Sequence, residues 1–275
     1  MAASCIEGCA RTVEFARGLH AAISRDHVWH PNRPARVTYA GCGSFALLAI
    51  PSMAVFSPIE ATFTLIDLHD ASIKSVATVT RQLGLCASVS GLINADATRY
   101  EIDLKMPPDI ILIETMKAGL EKEPQVAITR HLLAQAPEAL LVPEAVQIDL
   151  VFVDASGPSD GGDVFSAQDR DSGDRIRAGT VLRLKRQSII DWRGMAGPEL
   201  PATTLRVPDG VRRRHQPMLF TSIDVFGQHR LDESSDGLTA PRLLSTETAF
   251  RAGDQLVFQY RLGIHPRLVA SVVPN

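Results

Sequence analysis

The stretch from Val37 to Leu68 most constrains how this chain can fold. It begins with a short apolar run, Val37–Ala40, that predicts a buried strand. A turn that contains two glycines follows, Gly41-Cys42-Gly43, and leads into an apolar run compatible with a helix. A second apolar run, Thr62–Ile66, predicts a strand that ends at Asp67. Strand, glycine turn, helix, strand and acid is the arrangement of a nucleotide-type cofactor site in an open α/β sheet.

The glycine turn leaves two classes of cofactor open. A dinucleotide fingerprint, G-x-G-x-x-G, would need a third glycine where this chain has Ala46, a substitution that some dinucleotide sites tolerate. We expect a helix over Phe45–Ile50 for either cofactor. A tight turn in an ordinary α/β sheet, without a cofactor, is the plainer alternative.

Two more strands are predicted for the same sheet, at Cys86–Leu92 and Asp109–Ile113. Asp96 follows the first of them closely, and Glu114 directly follows the second. Because the carboxyl ends of parallel strands form the ligand edge of such a sheet, we expect both acids there with Asp67. Asp96 has an alternative role in a local turn or helix cap.

Glu114 and Glu123 are nine residues apart, and Gly119 between them permits a tight reversal of the chain. Pro124 suits the first turn of a following helix. Two carboxylates that face one pocket can bind a planar cation such as a guanidinium through charge-assisted hydrogen bonds. In the alternative interpretation, Glu114 caps the strand end, while Glu121 and Glu123 only offset the helix dipole.

The glycine turn carries a resemblance to a known family. Ala40-Gly41-Cys42-Gly43 resembles motif I of class I S-adenosylmethionine (SAM) methyltransferases, and Asp67 lies where that family places its ribose-binding acid. The resemblance implies SAM as the cofactor. It also implies a set of cofactor-binding residues: Ala40, Gly41, Gly43, Asp67 and Asp96.

The segment Glu114–Glu123 resembles the double-glutamate loop of protein arginine methyltransferases, in which two glutamates nine apart hold the substrate guanidino group. The resemblance implies that Glu114 and Glu123 are catalytic and bind the substrate. The chain departs from that family inside the loop, where Thr115-Met116-Lys117 adds a cation and lacks the usual aromatic flanks. Met116 is a further predicted substrate-binding residue.

The same family carries a Thr-His-Trp loop against its glutamates, and this chain has no such tripeptide. Gln228-His229-Arg230 is the nearest substitute, so His229 is predicted to bind substrate. A surface loop without a role in binding is the alternative for this segment.

The second half of the chain has a different pattern. We predict a Rossmann-like SAM-binding domain over residues 1–143 and an antiparallel β-barrel or sandwich over residues 144–275, which is the layout of arginine methyltransferases. Short apolar runs separated by proline and glycine support the second part. They are Val146–Val153, Thr180–Leu184, Leu205–Val207, Leu219–Phe226, Arg242–Leu244 and Leu256–Leu262. Asp154–Asp174 is predicted to be a loop, too glycine-rich for the helical dimerisation arm of that family, so a homodimer is left open.

Composition excludes several classes of protein. The net charge of −3 over 275 residues argues against a general nucleic-acid binder. No apolar run is long enough to span a membrane, and the first residues lack the features of a signal peptide, so we expect a cytoplasmic protein.

The cysteines and histidines do not predict a metal site. Cysteines at positions 5 and 9 have no third cysteine nearby, which argues against an iron–sulfur cluster and against radical SAM chemistry. We expect all 4 cysteines to be free thiols. The 8 histidines show no ligand spacing.

A helix is predicted over residues 4–24 from apolar residues that recur every three or four positions. Three of its polar side chains could face the cofactor cleft, although a solvated helix face is the expected role. They are Arg11, Arg17 and His20.

These features favour a SAM-dependent N-methyltransferase that acts on a guanidino or related nitrogen. Residues 39–51 (YAGCGSFALLAIP) and 120–128 (LEKEPQVAI) also resemble a bacterial group of small methyltransferases found near natural-product genes. That resemblance implies a small-molecule acceptor as the alternative to an arginine-containing substrate. Two alternatives stay open: a SAM-consuming cyclase that releases methylthioadenosine, and a non-catalytic binding protein with the same fold.

Overall fold

The computed structural model describes residues 9–154, 175–232, 237–246 and 249–275. Nearly all of the predicted loop Asp154–Asp174 lies outside these ranges, as do the first residues of the predicted N-terminal helix and Cys5. Cys9, Cys42 and Cys86, which lie inside them, are free thiols as expected.

The first half of the chain forms a five-stranded sheet in which every strand pair is parallel. Its strand order is β3-β2-β1-β4-β5, so the order reverses between β1 and β4, and ligands bind at the carboxyl ends of the strands beside such a reversal. The strands are β1 Ala35–Ala40, β2 Ala61–Asp67, β3 Val89–Asn94, β4 Ile110–Ile113 and β5 Leu140–Val142. The Rossmann-like architecture predicted for this half is thereby confirmed.

Five α-helices accompany the sheets in the part of the chain that the structure describes. They are α1 Cys9–Trp29, α2 Ile50–Val55, α3 Asp70–Gln82, α4 Gln125–Gln135 and α5 Arg186–Asp191. Helix α1 continues past residue 24, where the prediction ended it. Pro124 precedes α4 as predicted, and Gly84, just after the end of α3, has the positive φ of a helix C-terminus.

Two predicted element boundaries in this half are wrong. The helix expected over Phe45–Ile50 begins only at Ile50, because the preceding residues form turns in which Ala46 has a φ of 44°. The strand expected over Cys86–Leu92 begins at Val89, because Cys86–Ser88 forms a 3-10 turn.

The second half forms two antiparallel sheets. One has the order β10-β9-β6-β7, with β11 also paired to β9, and the other has the order β13-β12-β8. Their strands are β6 Ala145–Asp154, β7 Arg175–Lys185, β8 Glu199–Arg206, β9 His215–Phe226, β10 His229–Leu231, β11 Arg242–Leu243, β12 Gln255–Arg261 and β13 Arg267–Val273. The antiparallel architecture is confirmed, whereas closure into a barrel stays a prediction.

Helix α1 lies between the two halves. A Cβ atom at Gly18 would lie 2.5 Å from Val225 Cγ1 and 3.4 Å from the Phe226 nitrogen, so α1 touches β9 at a position where a side chain does not fit. Phe15 and Leu19 of α1 belong to a hydrophobic core that also includes residues of both halves. This contact fixes α1 against both halves of the chain.

No helix among the described residues is both long enough and apolar enough to cross a membrane.

Candidate active site

The glycine turn after β1 is fixed to the end of β2. The backbone N–H groups of Gly41 and Cys42 donate to the Ile66 carbonyl at 2.9 and 3.0 Å. Asp67 is 8% exposed, and its Oδ2 accepts the Gly43 N–H at 2.9 Å. The predicted turn and the predicted acid are therefore in direct contact.

The geometry of this turn fits a nucleoside cofactor. Gly41 and Gly43 have φ values of 75° and 63°, which favour glycine, and a Cβ atom at Gly43 would have no heavy atom within 4 Å. The backbone at Gly43 therefore borders open space that a ligand can approach. Asp67 Oδ1 also accepts the His69 N–H at 2.9 Å, and each carboxylate oxygen keeps a second lone pair for a ribose hydroxyl.

Ala40, which precedes the turn, and Cys42, which lies within it, do not present reactive groups. Ala40 is fully buried at the end of β1, so its side chain shapes the turn from the core side. Burial and the nearby charge of Asp67 raise the pKa of the Cys42 thiol to about 12, so this thiol is neutral at physiological pH.

Asp96 is exposed and forms a local turn. Its Oδ1 accepts both the Thr98 N–H at 2.9 Å and the Thr98 hydroxyl at 2.7 Å. The bond from the Thr98 hydroxyl is the main reason that the pKa of Asp96 is lowered. This is the local-turn alternative of the sequence analysis, and its contact with adenine stays a prediction.

The segment Glu114–Glu123, called the acidic hairpin below, has an unusual backbone. Gly119 has a φ of 74°, and two residues with side chains also have positive values, Leu120 at 56° and Lys122 at 67°. Each such non-glycine residue costs about 1–2 kcal/mol relative to ordinary backbone. Strain of this kind persists only where surrounding contacts fix the conformation.

The antiparallel half supplies the contacts that fix the acidic hairpin. The buried Tyr260 hydroxyl donates to the Leu120 carbonyl at 2.7 Å, and Thr221 Oγ1 accepts the Gly119 N–H at 2.9 Å. In a third bond, the Lys122 N–H donates to the Pro266 carbonyl at 2.9 Å. None of these three partners was predicted, since their polar groups carry no sequence motif and meet the hairpin only through the tertiary fold.

The acidic hairpin lies directly against the glycine turn. A Cβ atom at Gly41 would lie 2.2 Å from Thr115 Cγ2, so glycine is the residue that allows this approach. Gln125, at the start of α4, accepts the Thr115 N–H through Oε1 at 2.9 Å and donates to the Ile113 carbonyl at 3.2 Å. The sequence analysis did not identify Gln125. Its position directly after Glu123 and Pro124 was a signal that this polar side chain lies near the acidic hairpin.

Arg11 of α1 reaches the first glutamate of the hairpin. Its Nη1 lies 3.6 Å from Glu114 Oε2, and each side chain is only 11% exposed. The expectation that Arg11 lies on a solvated helix face is therefore wrong. Arg17 and His20 are exposed, as expected for that face.

Glu123 is held at the other end of the hairpin. Lys117 Nζ lies 3.8 Å from Glu123 Oε1, and these side chains are 47% and 40% exposed. Burial raises the pKa of Glu123, although the positive charges of Lys117 and Arg11 act against that rise. Arg11 thus acts on both glutamates: it pairs with Glu114, and its charge opposes the rise in the pKa of Glu123.

The other two predicted substrate-binding residues are Met116 and His229. Met116 is 2% exposed and lies in the hydrophobic core. His229 belongs to strand β10 and not to a surface loop, and its Nδ1 lies 3.2 Å from Glu14 Oε2. Because Glu14 is one helical turn from Arg11 on α1, His229 reaches the region of the site only through α1.

A group of metal-ligand types lies at the opposite end of the parallel strands. Asp26, His30 and Asp109 have ligand atoms within 4.8 Å of one another. Arg33 and Arg36 both pair with Asp109, at 2.6 and 3.0 Å, and hold its pKa at about 2 although burial alone would raise it. The positive charges of the two guanidinium groups that pair with Asp109 disfavour a metal cation at this position.

Comparison with known proteins bears on the fold alone. No family model matches the sequence, and no curated protein matches it. Among solved structures, the chain is similar to the crystal structure of protein arginine methyltransferase 10 from Arabidopsis thaliana, with a TM-score of 0.60 and 11% sequence identity. The match covers 92% of this chain and 84% of the plant protein. The chain therefore has a fold like that of a protein arginine methyltransferase.

Proposed function

We propose that this chain is a SAM-dependent N-methyltransferase that acts on a guanidino or related nitrogen. The observation that carries the proposal is the direct contact between the glycine turn and the acidic hairpin at Gly41 and Thr115. A cofactor at the turn and an acceptor at the hairpin would therefore be neighbours. The arginine methyltransferase-like fold supports the same conclusion.

The glycine turn and Asp67 are the proposed cofactor site. The backbone of Gly41 and Gly43 would approach the ligand, Asp67 would accept the ribose hydroxyls, and Asp96 would contact the adenine. When bound, SAM supplies an electrophilic methyl group. The neutral Cys42 thiol next to the turn would not compete as a nucleophile, because burial keeps it protonated.

The acidic hairpin is the proposed acceptor site. Glu114 already pairs with a guanidinium, that of Arg11, which shows that the surroundings of this carboxylate accommodate such a group. An acceptor cation would replace Arg11 as the partner of Glu114 and use Glu123 as its second carboxylate. Because burial raises the pKa of Glu123, that carboxylate would accept the proton that the methylated nitrogen loses.

The remaining parts of the proposal concern the whole chain. Residues 1–143 would form the cofactor domain, and residues 144–275 would form a closed barrel that completes the substrate side. Met116 would shape the floor of the acceptor pocket from the core, and His229 would act through Glu14 on the position of α1. A small-molecule acceptor from natural-product biosynthesis and a homodimer are consistent with this arrangement.

Two measurements test the proposal. Calorimetry with S-adenosylhomocysteine should show binding, and incubation with SAM and an acceptor should release S-adenosylhomocysteine. Methylthioadenosine as the product would instead indicate a cyclase, and no binding at millimolar SAM would indicate a non-catalytic protein.

The Glu114→Gln variant tests the role of the hairpin. We expect turnover to fall by at least about a hundredfold, because the acceptor loses a charge-assisted pair, while cofactor affinity changes by only a few-fold. Glu121→Gln is the matched control, since the Glu121 side chain lies beside Gly119 and its charge helps to raise the pKa of the Tyr260 hydroxyl. Full activity of Glu114→Gln would show that Glu114 is structural.

A further inference from the structure

The charges of the acidic hairpin are already balanced within the chain. Glu114 pairs with Arg11 at 3.6 Å, and Glu123 pairs with Lys117 at 3.8 Å. The formal charges of these four side chains sum to zero, because the two carboxylates are matched by one guanidinium and one ammonium group. A pocket formed by two unpaired glutamates would instead carry two negative charges.

This balance changes which acceptors the pocket favours. A purely cationic acceptor that takes the place of Lys117 beside Glu123 leaves the Lys117 ammonium group without that carboxylate. An acceptor that carries its own anionic group supplies a new partner for that ammonium group, so Lys117 stays paired. The arrangement therefore favours a zwitterion over an arginine-rich cationic peptide.

Lys117 is the side chain placed to recognise the anionic group. It belongs to the hairpin itself, and it is 47% exposed, whereas Arg11 is 11% exposed. Its ammonium group is thus accessible to an entering molecule and lies next to the carboxylate that would hold the acceptor cation. The backbone bonds that fix the hairpin also limit how far Lys117 can move away.

We propose that the acceptor is a small zwitterion that carries a guanidino group and a free carboxylate, and that Lys117 binds this carboxylate. The inference rests on the proposed function, because it names the substrate class of the same site. It makes Lys117 a specificity-determining residue.

The experiment compares L-arginine with agmatine, which is the same molecule without the carboxylate, by calorimetry on the protein saturated with S-adenosylhomocysteine. We expect wild-type protein to bind L-arginine roughly fivefold more tightly than agmatine, as for one partly exposed charge pair. Lys117→Met should remove most of that difference. Lys122→Met is the matched control and should keep it, since Lys122 is an exposed residue of the same hairpin without an ion pair among the described residues.

Each other outcome overturns a defined part of the inference. Agmatine binding as tightly as L-arginine to wild-type protein would exclude a carboxylate subsite while leaving the proposed function intact. An unchanged preference in Lys117→Met, repeated with Lys117→Gln, would exclude Lys117 as its cause. Failure of both probes to bind the saturated protein would exclude guanidino acids as the class, and failure of S-adenosylhomocysteine to bind would remove the proposed function and the inference together.

Discussion

Single side chains decide the charge state of the acidic hairpin. Glu123 is the clearest case, because its carboxylate is partly withdrawn from water and yet has two cations nearby. Burial is the largest influence, so the neutral form is favoured more in the folded chain than in the unfolded chain. At neutral pH, where the carboxylate is charged, such a residue lowers the stability of the folded chain.

The Glu123→Gln variant should show this through pH. A carboxyl group whose folded pKa is raised contributes stability at low pH, and that contribution is lost as pH rises through the folded pKa. Glutamine does not titrate. We therefore expect the free energy of unfolding of Glu123→Gln, relative to wild type, to increase from pH 4 to pH 7, as measured by urea unfolding at several pH values.

Turnover gives the complementary measurement on the same variant. Its activity should fall at every pH, because the neutral amide cannot pair with an acceptor cation. A relative stability that stays constant between pH 4 and pH 7, or that decreases, would show that the environment of Glu123 does not raise its pKa.

At the scale of elements, the sequence predicted what depends on local pattern and missed what depends on contacts. Strands β1, β2 and β4 were found because each is a short apolar run that ends at a glycine or an acid. The helix α2 was misplaced, because Ala46 adopts a positive φ that composition does not reveal. The spacing of Glu114 and Glu123 identified the acidic hairpin, but not the Arg11 that occupies it, since α1 reaches the hairpin only in the folded chain.

A pair of glycine variants tests the contact between the turn and the hairpin. Gly41 and Gly43 both have positive φ, but only at Gly41 would a Cβ atom meet Thr115, at 2.2 Å. We expect Gly43→Ala to lose about 1–2 kcal/mol of stability from backbone strain alone, and Gly41→Ala to lose a further 1–3 kcal/mol from overpacking. Thermal and urea unfolding would measure both.

The extra loss in Gly41→Ala should be partly reversed by Thr115→Ser, which removes the Cγ2 methyl group that the new side chain meets. A double-mutant cycle separates the interaction between positions 41 and 115 from the cost of backbone strain at position 41. Equal losses in the two single variants, or additive effects in the double variant, would show that the turn and the hairpin are not in contact.

At the scale of the whole molecule, the two halves are joined by more than the connection after β5. Helix α1 comes first in the chain, yet Gly18 fits against β9, and Glu14 pairs with His229 of β10. The acidic hairpin of the first half is bonded in turn to Thr221 and Tyr260 of the second. The strained hairpin conformation therefore depends on both halves being folded.

This interdependence leads us to expect cooperative unfolding, although chains of this length commonly unfold through intermediates. Far-UV circular dichroism and the fluorescence of Trp29 in α1 and Trp192 after α5 should give coincident urea transitions. Gly18→Val would push α1 away from β9, because even the added Cβ atom would lie 2.5 Å from Val225 Cγ1. We expect this variant to lose about 1–3 kcal/mol through overpacking and to separate the two transitions, with partial recovery in Gly18→Val/Val225→Ala. Separate transitions in wild-type protein would instead mean that each half is stable alone, and that the acidic hairpin is held by the first half without help from Thr221 and Tyr260.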